Sequence, residues 1–122
     1  MTQRDTKICV RCGRAFSWRR KWADAWDEIK MCSKRCRQMR LTPDDQALED
    51  TIVRLLEARG RRSTICPSEA ARLVRPEDWR EWMERTRMAA RRLVAADTIE
   101  FVQEGRVVDP SRAKGPIRLR LR

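Results

Sequence analysis

The chain has 122 residues, with 29 Lys and Arg against 18 Asp and Glu, five cysteines and no histidine. A formal charge of +11 points to a polyanionic partner, and nucleic acid stands ahead of acidic membrane because no segment forms the long cationic amphipathic helix that lies on lipid. The opening "MTQRDTKICV" holds no apolar stretch of signal-peptide length and no run suffices to span a bilayer, so the chain is read as cytoplasmic, with reduced thiols.

Charge divides the chain. Residues 1–42 carry 12 Lys and Arg against 4 Asp and Glu, whereas residues 43–122 carry 17 against 14. Two small domains are expected, 1–42 and 43–122, with no internal repeat. The first opens on "CVRC", a C-x2-C pair of Cys9 and Cys12 followed by Gly13, which relieves the strain of a tight knuckle. Further on, "MCSKRCR" places Cys32 and Cys36 four apart. If this segment opens a helix, the two thiols lie one turn apart on one face. Lys34, Arg35 and Arg37 beside them favour thiolate over thiol. The full spacing, C-x2-C-x19-C-x3-C, suits one structural Zn2+ in tetrahedral all-sulfur coordination. A disulfide framework is the competing reading, and it needs an oxidising compartment. Cys66 falls outside the pattern and reads as a small, partly buried apolar residue.

Between the cysteine pairs, Ala15 to Trp18 alternate as a short strand, and Trp22, Trp26 and Ile29 fall on one face of a short helix. Some forty residues bury too little apolar surface to fold unaided, so a metal is the expected supplement. The tryptophans could stack on bases, but at helical spacing in so small a domain they are better read as core around the metal. Arg19, Arg20, Lys21, Lys34 and Arg35 remain as phosphate contacts.

In the second domain Thr42 is an N-cap, Pro43 the first helical residue and Asp45 the third, and Leu48, Ile52, Leu55 and Leu56 recur at helical spacing up to Gly60. A first helix of about seventeen residues follows from those signals. "STIC" is a short strand, and "PSEAARLV" a brief helix opened by Pro67. "EDWREWMERTRMAARRLVAAD" is expected to form the longest helix, with Trp79, Met83, Thr86, Ala90, Leu93 and Val94 as its apolar stripe. A hairpin turning at Glu104 and Gly105 follows, and "PIRLRLR" alternates as a last strand.

This order predicts a small α+β protein: a treble-clef-like four-cysteine zinc finger followed by a winged helix-turn-helix domain. In that arrangement the exposed side of the long helix enters the major groove, which nominates Arg80, Arg87 and Arg91 there and Arg106 on the wing. The competing reading makes the arginines a solvated face paired with Glu77, Glu81 and Glu84.

"CVRCGRAFSWRRKWADAWDEIKMCSKRCR" resembles a small uncharacterised bacterial zinc-finger family with the pattern C-x2-C-G, W-R-[RK]-K-W and C-S-x-R-C-R. The remainder resembles a second uncharacterised family through "ICPSEAARLV", "DWREWM" and "GPIRLRL". The finger alone is also similar to small zinc proteins that inhibit bacterial DNA gyrase. These resemblances imply an architecture and no mechanism. The function expected is nucleic-acid binding, DNA ahead of RNA. The alternative is an adaptor or inhibitor of a protein machine acting on nucleic acid, such as a topoisomerase, polymerase or ribosome. No enzyme or small-molecule substrate is expected: four thiolates leave zinc no open position, no histidine can act as base, and no phosphate-binding glycine loop is present.

Overall fold

The computed structural model describes residues 5–122. The cysteine-bearing unit starts with an antiparallel pair, β1 (Thr6–Ile8) and β2 (Ala15–Ser17), in which Lys7 faces Phe16. The sequence suggested β2 but gave little sign of β1, which is only three residues long. The single helix expected over Trp22, Trp26 and Ile29 is replaced by two 3-10 turns, Arg20–Trp22 and Trp26–Glu28. Ala25 leaves helical geometry between them, at φ −126° and ψ 9°. The Lys7 ammonium donates to the carbonyls of Trp26 and Ile29, so those acceptors are satisfied from β1. Both indoles are buried, stacked at 5.9 Å, and meet the Phe16 ring edge-on at 5.8 and 5.7 Å. They are core, as their spacing suggested. Ser33 then caps the short helix α1 (Lys34–Gln38), its hydroxyl accepting from the Cys36 N–H.

Thr42 and Asp45 form the reciprocal cap that opens α2 (Pro43–Arg59). One face of α2 buries Leu48, Ile52 and Leu56, each worth about 1.5–3 kcal/mol against exposure. The chain continues through β3 (Thr64–Ile65), α3 (Pro67–Val74) and a 3-10 turn at Trp79–Trp82 into α4 (Met83–Ala95). Of the helical stretch expected from Glu77 onward, only residues 83–95 are α-helical, and α2 is the longest helix instead. Trp82 breaks the register at φ −98° and ψ 3°, and the Thr86 hydroxyl donates to its carbonyl at 2.7 Å.

Strands β4 (Ile99–Gln103) and β5 (Arg106–Val108) form the expected hairpin, with Glu104 and Gly105 both at positive φ in a two-residue turn. The last strand, β6 (Arg118–Leu121), lies between β3 and β4, antiparallel to both, so the sheet order is β3-β6-β4-β5. Ile65, Ile99, Phe101 and Leu119 are buried in one core with Leu48, Ile52 and Leu56 of α2 and Ala89, Ala90 and Leu93 of α4. The result is a small mixed α+β fold. Among the described residues no helix is long and apolar enough to cross a membrane.

Asp45 does more than cap α2. Its buried carboxylate takes both Nε and Nη2 of Arg85, which also donates to the Arg40 carbonyl at 3.0 Å. Burial alone would push this carboxyl up, yet Arg85 and the Thr42 donors hold it below its ordinary value. A carboxyl lowered on folding stabilises the protein above its unfolded pKa of about 4, and that contribution is lost as pH falls through the folded value. Asp45→Asn is therefore expected to lower the melting temperature at neutral pH and to flatten its dependence on pH below about 5. Thermal scans across that range check this, and a variant that keeps the wild-type acid profile would contradict it.

Candidate metal centre

The knuckle between β1 and β2 is closed by its own backbone. The Cys9 N–H donates to the Arg14 carbonyl at 2.8 Å, the Gly13 N–H to the Cys9 carbonyl at 2.9 Å, and the Cys12 N–H to the Cys9 sulfur at 3.5 Å. Gly13 sits at φ +78°, a conformation that costs other residues energy. On the other side Cys32 precedes the N-cap Ser33 and Cys36 lies in the first turn of α1, so only Cys36 is on the helix expected to carry both thiols.

The sulfurs of Cys9, Cys12, Cys32 and Cys36 all lie within 4.8 Å of one another, and Cys66 is not among them. Cys32 Sγ is 3.7 Å from both Cys12 Sγ and Cys36 Sγ. A tetrahedron with metal–sulfur arms of about 2.3 Å has edges of about 3.8 Å, so these separations suit four thiolates around one ion such as a structural zinc. All five cysteines are free, so no disulfide joins the four.

The sulfurs differ in their electrostatics. Burial pushes Cys9 up, but N–H groups of Cys12, Cys32 and Arg11 outweigh it and bring the thiol down to about 7. Burial pushes Cys12 and Cys36 up, and the negative charge of neighbouring sulfurs adds to the effect. A cation between the sulfurs would offset that repulsion. Cys66 stands apart as the N-cap of α3, its N–H donating to Glu69 at 2.9 Å and its sulfur accepting from the Ser68 hydroxyl at 3.1 Å.

The knuckle rests directly on α4. Arg91 Nε donates to the Cys12 carbonyl and Arg92 Nη1 to the Arg11 carbonyl, each at 2.6 Å. Met88 joins Cys9, Cys12 and Cys36 in one buried cluster. A Cβ placed on Gly13 would lie 2.3 Å from Arg91 Cβ, 2.7 Å from its carbonyl carbon and 2.8 Å from the Arg92 nitrogen. On a helical wheel Met88, Arg91 and Arg92 lie opposite Thr86, Ala89, Ala90 and Leu93, which face the core. The finger therefore covers the side of α4 that was expected to face a groove. A further link is the Ala15 N–H, which donates to the Ser111 hydroxyl at 2.8 Å.

This corrects the expectation for Arg91. It is 3% exposed, bound to the Cys12 carbonyl and to Glu84 at 3.2 Å, and is not free to meet a base edge. Arg85 and Arg92 of α4 are likewise taken up, by Asp45 and Glu49 on α2. The remaining nominated cations fall into separate sets. Arg19, Arg20 and Lys21 are exposed on the first 3-10 turn, with Arg19 and Lys21 over the Trp22 ring at 5.5 and 5.4 Å. Lys34 and Arg35 are exposed on α1, and Arg35 shares a cleft with Arg14, Cys12, Cys32 and Cys36. Arg80 is exposed beside Trp79, and Arg87 is half-buried on a flank of α4. Arg106 is exposed at the hairpin, where it borders a second cleft with Lys114 and Arg118.

Sequence reasoning missed the docking of knuckle on helix, although one signal was available. Gly13 serves the turn by its positive φ, but it is also a residue without a side chain beside a buried surface. A family model described as "Protein of unknown function (DUF3253)" matches residues 45–122. Another, described as "Uncharacterized protein conserved in bacteria (DUF2256)", matches residues 2–39. A comparison with curated proteins finds no match.

Proposed function

We propose that this chain, which belongs to the DUF3253 family of unknown function, is a nucleic-acid-binding protein whose basic finger, held together by one structural zinc on Cys9, Cys12, Cys32 and Cys36, grips the phosphate backbone. One observation carries the reading. Among the described residues every ion pair lies between residues 44 and 122, and no cation of the finger is paired with an acid. In the helical unit Arg85, Arg91 and Arg92 of α4, and Arg75 just beyond α3, are bound to carboxylates. The finger thus keeps its excess positive charge facing solvent, where it can release counterions from a polyanion.

The helical unit is read as a variant winged helix. Its order α2, β3, α3, α4 and hairpin supports that reading, with β6 taking the central position beside β3. Because the finger covers the outer face of α4, this variant meets the backbone through Arg80, Arg87 and Arg106 around the helix and not through Arg91. Duplex DNA is the favoured target.

A salt titration tests the proposal. Replacing Arg19, Arg20 and Lys21 together by Gln is expected to weaken binding to all duplexes alike and to reduce the salt slope by about one unit per lost contact. Affinity of the wild type that does not change with salt would overturn it.

The adaptor reading has an observation of its own. Ile8 and Val10 on the finger are 44% and 53% exposed and border a cleft with Ile29, flanked by Lys7, Lys30 and Asp27. An apolar patch rimmed by charges of both signs is a surface that a protein can cover. Capture of a topoisomerase, polymerase or ribosomal protein that is lost in Ile8→Ser, with nucleic acid digested beforehand, would favour this reading.

A further inference from the structure

Trp79 carries two arginines. The guanidinium of Arg72, from the last turn of α3, lies 4.1 Å from the centre of its ring, and that of Arg80 lies 4.5 Å away. Both arginines are exposed, and neither forms an ion pair among the described residues. Their neighbours differ. Arg75 and Arg85 flank Trp82 in a similar way, at 4.7 and 5.2 Å, but Arg75 is bound to Asp44 and Asp78 and Arg85 to Asp45.

Two like charges on one indole repel each other, and the repulsion is relieved by an anion placed between or across them. A guanidinium held over an indole face by cation–π attraction has less freedom to lose on meeting a phosphate, which lowers the ordering cost of that contact. Next to Arg72, Leu73 is 63% exposed and offers an apolar rim suited to a sugar or base face. Leu73 also precedes the Arg75–Asp78 turn that holds the Trp79 segment against α3.

We infer that Arg72, Trp79 and Arg80 form a clamp for the phosphodiester backbone of a nucleic acid, a contact site separate from the finger. The inference deepens the nucleic-acid reading and rests on it. Arg72 and Arg80 supply the charge. Trp79 is a positioning residue that holds both guanidinium groups at its ring.

The test uses the full metal-loaded chain, a short fluorescein-labelled duplex and a labelled poly-glutamate peptide, each titrated with salt. Arg72→Gln with Arg80→Gln is expected to lower the salt slope by about two units on the duplex, additively with the finger replacements. Trp79→Leu, which keeps both charges, is expected to weaken duplex binding about tenfold with the slope unchanged. Circular dichroism verifies that each variant is folded. A wild-type slope in the double variant, while finger replacements still reduce it, overturns the clamp and spares the nucleic-acid reading. Loss of poly-glutamate binding in the double variant, with duplex binding intact, overturns it in favour of an acidic protein segment. Absence of duplex binding by the wild type overturns both.

Discussion

Removing the metal is expected to unfold residues 5–40 while α2, α3 and α4 keep most of their helical signal. The finger has two three-residue strands, two single 3-10 turns and a five-residue helix, and its apolar core is chiefly Trp22 and Trp26 packed on Phe16, with Phe16, Met31 and Met39 against the sulfurs. Structural zinc contributes about 10–16 kcal/mol to folding of such units, far more than so few apolar side chains supply. The helical unit has its own cluster, from Leu48 to Leu119, and does not draw on the sulfurs. Chelation should still be felt there, because Met88, Arg91 and Arg92 lose the surface that buries them. Hydrogen exchange should rise throughout the finger and on the finger side of α4, with little change in α2. Elemental analysis that finds no metal in reduced protein, or a finger that keeps its protection after chelation, would refute the assignment.

Gly13→Ala separates the metal from the docking. The methyl meets Arg91 Cβ and two backbone atoms of α4, all closer than 3 Å, and backbone cannot swing aside as a side chain can. Positive φ adds about 1–2 kcal/mol for a residue with a Cβ. Separating the knuckle from the helix also breaks the bonds from Arg91 and Arg92, and leaves a buried guanidinium short of partners. A total loss of about 3–5 kcal/mol is expected, in the range of broken buried polar networks. The three atoms closest to the added methyl belong to α4 and none is a sulfur, so the variant is expected still to bind one metal ion. Thermal unfolding and metal stoichiometry measured on the same sample decide the matter. Wild-type stability would mean that the close approach to α4 is not maintained in solution.

Local signals were legible wherever one residue type has one physical use. Thr42, Pro43 and Asp45 marked the start of α2, Glu104 and Gly105 marked the hairpin, and the cysteine spacing marked the sulfur cluster. The signals misled where tertiary contacts outweighed periodicity. Trp22, Trp26 and Ile29 have helical spacing, but the lysine from β1 takes the carbonyls of Trp26 and Ile29 and two tighter turns result. The position of Arg91 could not be read at all. A wheel separates a core face from an outer face, and gives no warning that a second unit of the same chain covers the outer one. A buried arginine and an exposed one look alike in sequence.

The contact of Gly13 on α4 also bears on how such a chain can change over generations. A finger joined to a helical unit by a loose tether could be exchanged for another finger without consequence. Here the glycine and the arginine across from it form a lock, so position 13 accepts a larger residue only if α4 moves away, and position 91 needs its arginine only while a knuckle carbonyl is there to receive it. In relatives that carry both units the two positions should vary together, and in chains with the helical unit alone position 91 should drift toward ordinary surface residues.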